Sequence, residues 1–283
     1  MQTVTTVADL RAAVAGWRTA GQRVALVPTM GNLHEGHLQL VDRARALADR
    51  VVVSIFVNPT QFSPNEDFAR YPRTLESDSA KLEPRGTDLI FAPSVEEVYP
   101  EGTAMRTRVE VPGLSDELCG SFRPHHFAGV ATVVTKLFGM VQPDVAVFGT
   151  KDFQQLLVIR HLVVDLHLPV AIEGVTTVRE PDGLAMSSRN AYLSAEDRQT
   201  ATAINRCLRH TAQRLLAGER DFAALEAEGA AALQSVGFRP DYYAVRRSVD
   251  LDLPAPEDKD LVVLTAAHIG GARLIDNLPV QIP

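Results

Sequence analysis

The sequence contains only two cysteines, which excludes a small fold that depends on a disulfide framework. Cys119 and Cys207 are far apart in the chain, and neither belongs to a cysteine-rich motif. Buried, apolar thiols in a reducing compartment are the simplest expectation for such a pair. We therefore expect a cytoplasmic protein.

Long apolar runs are missing as well. The longest strongly apolar stretch runs from Val51 to Val57, whereas a membrane-spanning helix needs roughly 20 apolar residues. The N-terminus lacks a charged segment followed by an apolar core, so we expect no signal peptide. These features predict that the chain does not enter a membrane.

Positive charge is in the minority. The chain has 28 Lys and Arg against 35 Asp and Glu, which gives a net charge of −7. This balance argues against a general nucleic-acid binder, although a local group of cations can still hold an anionic substrate. The 283 residues, of which 46% are hydrophobic and 22% charged, are sufficient for one large or two medium globular domains.

Apolar runs typical of buried strands alternate with helical patterns along the first part of the chain. Strands are predicted at 24–27, 51–57, 88–93 and 145–148. Helices are predicted at 37–48, 75–82 and 127–141, and another begins after residues 149–152. Continuously apolar strands are covered on both faces, and their alternation with helices predicts an α/β fold with a Rossmann-like, doubly wound parallel sheet.

The pattern changes after Val178. Helices are predicted at 195–217 and 222–235, followed by strands at 241–247, 261–267 and 273–277. Helices followed by a run of strands are typical of an α+β domain. We therefore predict two domains: residues 1–176 form the Rossmann-like domain, and residues 177–283 form a smaller α+β domain.

The junction between the first predicted strand and helix carries the most informative motif. Two histidines, His34 and His37, follow Pro28 to Leu33, and glycines stand at positions 31 and 36. The first turn of a helix has unpaired N–H groups and the positive end of the helix dipole, so it attracts phosphate. Imidazole donors next to this turn can stabilise charge on a phosphoryl oxygen. The motif predicts a phosphate-binding loop.

Zinc binding, a structural role and dinucleotide binding compete with phosphate binding as roles of the histidine pair. Zinc ligation by a His-Glu-x-x-His helix needs a longer spacing than His34 and His37 have. A purely structural role, with both imidazoles bonded to neighbouring backbone, remains open. A dinucleotide-binding fingerprint is excluded because the Gly-x-Gly-x-x-Gly spacing is absent.

Further polar segments follow buried strands or the predicted domain boundary. They contain Asn58 and Gln61, Lys151 and Asp152, and Ser187-Ser188-Arg189. Because open α/β sheets bind ligands at the carboxyl ends of their strands, we expect these segments to meet there, with the second domain as a lid. A lysine, an arginine, hydroxyl groups and a helix N-terminus suit a polyphosphate ligand.

Taken together, these motifs resemble those of a known family. His34-Glu35-Gly36-His37 matches the His-x-Gly-His signature of a nucleotidylyltransferase superfamily. Together with 57–62, 151–155 and 186–190, the motif resembles the pantoate–β-alanine ligase family over nearly the whole chain. The resemblance implies a Rossmann-like domain, a smaller lid domain and a homodimer that acts on small molecules, not on nucleic acid or a membrane.

The reaction that this resemblance implies has two steps. The carboxylate of pantoate attacks the α-phosphorus of ATP, giving pantoyl adenylate and pyrophosphate. The amine of β-alanine then attacks the adenylate, giving pantothenate, a precursor of coenzyme A, and AMP. Because a carboxylate is already a nucleophile, catalysis would come from positioning and electrostatic stabilisation.

The resemblance also implies roles for individual residues. His34, His37 and Lys151 would be catalytic, with His37 as a proton donor. The expected ATP-binding residues are Met30, Gly31, Asn32, Leu33, His34, Glu35, Gly36, His37, Gly149, Thr150, Lys151, Asp152, Val178, Met186, Ser187, Ser188 and Arg189. The expected pantoate-binding residues are Gln61 and Gln155. The expected neighbours of the second substrate are Asn58, Tyr71 and Arg123.

The chain departs from the usual family pattern at several positions. Ser77-Asp78 replaces two consecutive acids, which leaves Asp78 as the candidate protein ligand for Mg²⁺, a metal that can also bind mainly through ATP and water. Thr150 replaces a glutamate, Phe153 a tyrosine and His125 a glycine. The change at His125 predicts a different conformation of the loop before His126.

Two further functions share some of these features. A simple nucleotidylyltransferase has the histidine pair but needs no equivalent of Gln61 and Gln155. A nucleotide-binding protein without activity is the third possibility, because departures can mark a degenerate site. Retention of His34, His37 and Lys151 argues against it.

Overall fold

The computed structural model describes residues 1–64, 66–104 and 107–283. The chain forms two compact units, of which the first comprises residues 1–150 and 158–176 and the second residues 151–157 and 177–283. Segment 151–157 thus groups with the C-terminal residues, while the predicted domain limits at 176/177 stay a prediction. In the described part of the chain, every helix is too short or too polar to span a bilayer.

The first unit is built on a parallel sheet of six strands, which confirms the predicted fold class. Its strands are β1 Gln2–Val4, β2 Val24–Thr29, β3 Arg50–Ile55, β4 Leu89–Phe91, β5 Val145–Gly149 and β6 Ala171–Val175. Its helices are α1 Val7–Thr19, α2 Glu35–Leu47, α3 Leu75–Leu82, α4 Val95–Val98, α5 Cys119–Phe122, α6 His126–Val141 and the part of α7 (Phe153–Asp165) that follows Leu157. Short 3₁₀ turns lie at Pro59–Gln61, Asp67–Arg70, Glu83–Arg85 and Thr150–Asp152.

The strand order creates a switch point beside β2. The sheet runs β1-β4-β3-β2-β5-β6, and every pair is parallel. From β2 the chain proceeds through β3 to β4 on one side, then returns to add β5 and β6 on the other. Ala25 pairs with Val51 of β3 and with Val145 of β5. In open α/β sheets the crevice at such a reversal is the usual ligand site, so the loops after β2 and β5 are placed to form one.

The apolar runs supply the core on both faces of this sheet. Alternate strand residues point to opposite faces, and one set packs with α2 and with Leu82 of α3. This set includes Ala25, Val27, Val51, Val53 and Val147. The intervening residues Leu26, Val52, Ala146 and Phe148 are also buried. Burial of both sets explains why these strands lack polar alternation.

Several predicted elements differ from the structure at their ends, and some were not predicted. Helix α2 begins at Glu35 rather than His37, because His34 is extended at φ −129° and its carbonyl accepts the first bonds of the helix. Strand β3 ends at Ile55 rather than Val57. Strands β1 and β6 lie at the two edges of the sheet, where partial exposure weakens the apolar pattern that sequence analysis relies on.

The second unit contains a three-stranded antiparallel sheet with helices. Its strands β7 Arg239–Arg247, β8 Asp260–Ile269 and β9 Ala272–Gln281 are adjacent in that order. Its helices are α8 Ala195–Ala201, α9 Ala203–Leu216 and α10 Phe222–Ser235. A single helix over 195–217 was predicted, but the helix is interrupted at Thr202. The hydroxyl of Thr202 donates to the carbonyl of Gln199 at 2.7 Å. Such back-bonding competes with regular helix geometry.

Candidate functional site

The loop between β2 and α2, residues 30–34, has an unusual backbone. Gly31 and Asn32 both have positive φ, at +82° and +52°. A Cβ on Gly31 would lie 3.1 Å from Asp78 Oδ2 and 3.1 Å from Ile55 Cγ2. Glycine is therefore required at position 31 by both conformation and space. We call this segment the β2–α2 loop.

The amides of the β2–α2 loop are bonded to other parts of the first unit. The N–H groups of Asn32 and Leu33 donate to the two carboxylate oxygens of Asp78, at 2.9 and 2.8 Å. The N–H of Gly31 donates to the hydroxyl of Thr29 at 3.2 Å. These bonds fix the loop and occupy its N–H groups at positions 31–33, so the predicted phosphate-binding amides are those of the first turn of α2.

The first turn of α2 has the features of an anion site. In the described part of the chain, the N–H groups of Glu35 and Gly36 form no hydrogen bond, as is usual for the first residues of a helix. The carboxylate of Glu35 is held by Arg85, whose Nη2 lies 2.9 Å from each oxygen. A carboxylate near two unpaired amides would repel phosphate, so its pairing with Arg85 favours anion binding at this turn.

The two histidines lie at this turn with their rings in contact. The ring centroids of His34 and His37 are 4.1 Å apart, and the planes are tilted by 39°. The N–H of His34 donates to Nδ1 of His37 at 3.3 Å. Because a backbone N–H only donates, Nδ1 of His37 is the acceptor, and the proton of the neutral ring is assigned to Nε2. The N–H donor of the His37 ring is therefore Nε2.

Asp78 is fully buried, and its oxygens face hydrogen-bond donors. Besides the two loop amides, Oδ2 accepts from the hydroxyl of Thr74 at 3.0 Å. A direct Mg²⁺ ligand needs an oxygen that faces the metal, so this donor set does not fit the predicted metal role of Asp78. We derive no step through a metal held by this residue.

Asn58 is the centre of a second buried network in the first unit. Its Nδ2 donates to Gln61 Oε1 at 3.0 Å and to the carbonyl of Gly129 at 3.2 Å. Its Oδ1 accepts from the backbone and hydroxyl of Thr60, at 3.3 and 3.0 Å, and from the Tyr99 hydroxyl at 2.7 Å. Asn58 is 1% exposed. These contacts account for both amide hydrogens, so Asn58 serves to orient Gln61.

Tyr99 belongs to this network through its hydrogen bond to Asn58, and its role was not predicted from the sequence. Burial raises the pKa of the Tyr99 hydroxyl, and its hydrogen bond with Thr60 opposes this shift. The hydroxyl therefore stays protonated at neutral pH and donates to Asn58. A single tyrosine outside every motif gives no signal in the sequence that would reveal this role.

Of the two ends of the Gln61 side-chain amide, only the oxygen has a strong hydrogen bond. Oε1 accepts from Asn58, whereas Nε2 donates to the sulfur of Met30 at 3.3 Å. A thioether is a weak acceptor. The Nε2 group can therefore exchange this contact for a stronger one with a substrate oxygen.

The close packing of α6 on the turn at Pro59–Gln61 gives our first prediction. A Cβ on Gly129 would lie 2.4 Å from the carbonyl oxygen of Thr60, so an alanine must displace this backbone. We expect Gly129→Ala to lower the free energy of unfolding by about 1–3 kcal/mol and to lower turnover, because the displaced backbone belongs to the turn that contains Gln61. Urea unfolding and turnover would be measured side by side.

The same helix offers a matched control. A Cβ on Gly139 would meet nothing within 4 Å, so Gly139→Ala should stabilise the helix by up to about 1 kcal/mol and leave turnover unchanged. Equal effects of the two substitutions would contradict the assignment of Gly129 as the contact that places Gln61.

Arg123 is engaged by residues of the first unit. Its guanidinium forms two hydrogen bonds with Glu66, at 2.7 and 2.6 Å, and one with His126 Nε2 at 2.9 Å. Because a guanidinium only donates, Nε2 of His126 is the acceptor, and Nδ1–H donates to the carbonyl of Gln61 at 2.8 Å. His126 was not predicted to take part. The expected contact of Arg123 with the second substrate stays a prediction.

Tyr71, a predicted neighbour of the second substrate, is 6% exposed, and its ring packs edge-on against Phe62 at 6.0 Å between centroids.

The residue before α6 has an unusual backbone. His125 has φ +68°, in the left-handed region that favours glycine. The chain therefore adopts here a backbone suited to glycine although the residue is histidine.

The second segment predicted to bind the nucleotide begins at the carboxyl end of β5. Gly149 ends β5, and Thr150 starts the 3₁₀ turn Thr150–Asp152. Both residues belong to the first unit, where β5 is the neighbour of β2. Gly149 and Thr150 therefore lie at the same edge of the sheet as the β2–α2 loop.

Lys151 belongs to the second unit and lies in a cleft there. The cleft is lined by Lys151, Ser187, Asn190 and Asp276, together with apolar residues. The carbonyl of Lys151 accepts a hydrogen bond from Nδ2 of Asn277 at 2.8 Å. The structure thus brings together Lys151 and Ser187, two predicted phosphate ligands that are distant in sequence.

The remaining predicted nucleotide residues of the second unit are held by a tight hairpin. The N–H of Met186 donates to the carbonyl of Val178 at 3.0 Å, which places these two residues side by side. Ser187 caps the 3₁₀ turn Ser188–Tyr192, and its hydroxyl accepts from the N–H of Arg189 at 3.3 Å. Asp152 is exposed and Gln155 half-buried, also in this unit.

A buried ion pair anchors the hairpin. Arg179 donates to both oxygens of Asp276, at 2.7 and 2.9 Å, and to the carbonyls of Gly183 and Asn277. The side chain of Asp276 is 4% exposed and that of Arg179 16%. Asn277, the next residue, holds the Lys151 carbonyl. No motif in the sequence indicated this connection.

Comparisons with known proteins identify the family of this chain. The family described as pantoate-beta-alanine ligase matches residues 2–279. Pantothenate synthetase from Thioalkalivibrio sulfidiphilus is 62% identical over 283 residues, which is 100% of this chain and 99% of the relative. Pantothenate synthetase from Pseudomonas putida strain GB-1 is 59% identical, over 98% of this chain and 97% of the relative.

Solved structures give the same result. Pantothenate synthetase from Thermus thermophilus has a TM-score of 0.92 and 51% identity, covering 98% of this chain and 99% of the other. Pantoate-beta-alanine ligase from Francisella tularensis, in a structure complexed with beta-gamma ATP and beta-alanine, has a TM-score of 0.83 and 34% identity, covering 98% and 97%. The chain belongs to the pantoate–β-alanine ligase family and is a ligase.

Proposed function

We propose that this enzyme joins pantoate to β-alanine in two ATP-dependent steps. In the first, a carboxylate oxygen of pantoate bonds to the α-phosphorus of ATP, and the bond from this phosphorus to the bridging oxygen breaks, releasing pyrophosphate. In the second, the amine of β-alanine bonds to the acyl carbon and loses a proton, while AMP leaves. The products are pantothenate, AMP and pyrophosphate.

The observation that carries the proposal is the position of His37 at the first turn of α2. The turn contains the N–H groups of Glu35 and Gly36, and the His37 ring, whose Nδ1 accepts from the His34 N–H, carries its proton on Nε2. These donors would stabilise the negative charge that grows on the leaving pyrophosphate, a large contribution in phosphoryl transfer. His34, in contact with the His37 ring, would complete this set.

Residues of the second unit would bind the remainder of the nucleotide. Lys151, Ser187, Ser188 and Arg189 provide cationic and hydroxyl groups for phosphate oxygens. Asp152 would face the ribose. The neighbouring backbones of Val178 and Met186 would complete the nucleotide site in this unit.

Gln61 and Gln155 would hold the hydroxyl and carboxylate groups of pantoate. Asn58 supports the proposal for Gln61, because its Nδ2 fixes Oε1 and leaves Nε2 for the substrate. Asn58 would then affect turnover through Gln61, without contact with either substrate. The Mg²⁺ that accompanies ATP would be held by phosphate oxygens and water.

The adenylate step can be tested alone. With pantoate present and β-alanine omitted, labelled pyrophosphate should exchange into ATP, because formation of an adenylate is reversible. Exchange without pantoate, or none with it, would contradict the two-step route. Sedimentation velocity would test the homodimer, and localisation of the tagged chain would test the cytoplasmic prediction.

Gln155→Ala is expected to weaken pantoate binding selectively. Loss of an uncharged hydrogen bond to substrate costs about 0.5–1.5 kcal/mol, so we expect the pantoate KM to rise about two- to tenfold. The KM for ATP should change by less than about twofold. Steady-state kinetics with each substrate varied in turn would measure both.

Gln213→Ala is the control, since Gln213 is an exposed residue of a helix in the same unit. It should leave both KM values unchanged. A rise in the ATP KM for Gln155→Ala with a constant pantoate KM would show that Gln155 serves the nucleotide instead.

A further inference from the structure

The structure assigns Asp78 a role in positioning the β2–α2 loop for the reaction. The inference rests on the proposed function, because it concerns the loop that presents His34 and His37 to ATP. It replaces the expectation that this acid binds a metal.

The first argument is the match between the carboxylate and the loop. Asp78 has no exposed surface, and each of its oxygens accepts one backbone N–H, from Asn32 and from Leu33. A carboxylate is the side chain that can accept two adjacent amides at once. A neutral amide in its place presents one acceptor and one donor, so one loop N–H would lose its partner.

The second argument is a further contact from the same helix. Lys81, three residues after Asp78 on α3, donates to the carbonyl of Leu33 at 2.7 Å. Residues at this spacing lie on one face of a helix. The face of α3 that contains Asp78 and Lys81 therefore holds both the N–H and the carbonyl of Leu33. We call these two residues the α3 clamp.

The third argument is that the loop needs such support. Gly31 and Asn32 are consecutive residues with positive φ, a conformation that costs free energy for a residue with a Cβ, although asparagine tolerates it better than most, and that surrounding contacts help to hold. The next residues in the chain are Leu33 and His34, and the N–H of His34 in turn contacts His37. Release of the clamp would thus move the imidazoles relative to the first turn of α2.

The test uses Asp78→Asn and Lys81→Met, with Ser79→Ala as the control. Ser79 lies on the same helix, and its hydroxyl donates to the carbonyl of Leu75 of that helix at 2.7 Å. We expect Asp78→Asn to lower the kcat of pyrophosphate release at least 10²-fold and Lys81→Met to lower it about tenfold. The control should retain wild-type turnover.

Two readouts separate positioning from metal binding and from a general loss of stability. In protein without ATP and metal, the amides of Asn32 and Leu33 should exchange hydrogen at least tenfold faster in both clamp variants, while amides of β3 stay protected. The Mg²⁺ concentration at half-maximal rate should stay within twofold of the wild type.

The results that would overturn the inference are specific. A large rise in the Mg²⁺ requirement, with rescue by excess Mg²⁺, would make Asp78 a metal ligand. Unchanged loop exchange in both variants would show that the clamp does not hold the loop. If Asp78→Asn fails to fold, Lys81→Met alone decides through its loop exchange. Absence of pantoate-dependent turnover in the wild type would instead contradict the proposed function, and the exchange measurement would still test the clamp.

Discussion

Replacement of His37 with alanine is expected to lower the rate of pyrophosphate release by about 10²-fold or more while the fold is retained. The substitution removes the Nε2–H donor, which is assigned because Nδ1 accepts from the N–H of His34. We expect little loss of folding energy, because the ring is only half-buried and its hydrogen bond with the His34 N–H is long, at 3.3 Å. Single-turnover release of pyrophosphate with saturating ATP and pantoate measures the step directly.

Two comparisons give this prediction its meaning. His37→Gln places an amide N–H near the position of Nε2 and should recover part of the lost rate. His161→Ala, the same truncation at an exposed position of α7, should have no effect. Near-normal turnover of His37→Ala would exclude His37 from the adenylation step.

The second large effect is expected for stability. Arg179→Met leaves the Asp276 carboxylate buried without its cation, which costs about 3–5 kcal/mol for a pair of this kind. The loss should appear as faster hydrogen exchange in β9, which contains Asp276 and the neighbouring Asn277. Because Asn277 holds the carbonyl of Lys151, we expect the KM for ATP to rise as well.

Arg198→Met is the matched control in the same unit. Arg198 pairs with Asp182 at 2.7 Å, and both side chains are substantially exposed. Arg198 also lowers the pKa of Asp182 through this contact, yet an exposed pair contributes at most about 1 kcal/mol. The double variant Arg179→Met with Asp276→Leu should recover part of the stability, because no unpaired charge remains. No recovery would show that the ion pair is not the cause.

The parallel sheet was predictable because its central strands are apolar on both faces. Val51 to Val53 and Val145 to Phe148 lie in short apolar runs rich in valine, which favour buried strands. The helices at 75–82 and 222–235 were predicted with their observed limits, Leu75–Leu82 and Phe222–Ser235. Each follows a polar residue, Thr74 or Asp221, and the Asp221 side chain caps its helix by accepting from the N–H of Ala224.

The network around the predicted residues was not predictable, since it depends on contacts between distant segments. Asn58 was expected near a substrate, which stays a prediction, and its contacts with Tyr99, Gly129 and Gln61 were not predictable from the motif. Asp78 was expected near a metal, but its oxygens face the amides of the β2–α2 loop. A sequence motif identifies polar residues at a site without indicating which of them contact ligand and which hold their neighbours.

The measurement that tests the central claim most directly is the release of pyrophosphate and AMP from ATP and Mg²⁺, first with pantoate alone and then with β-alanine added. Pantoate alone should give at most one equivalent of pyrophosphate per site, and the addition of β-alanine should start sustained release of both products at equal rates. Sustained release of pyrophosphate with pantoate alone, and no acceleration by β-alanine, would contradict the proposed ligase.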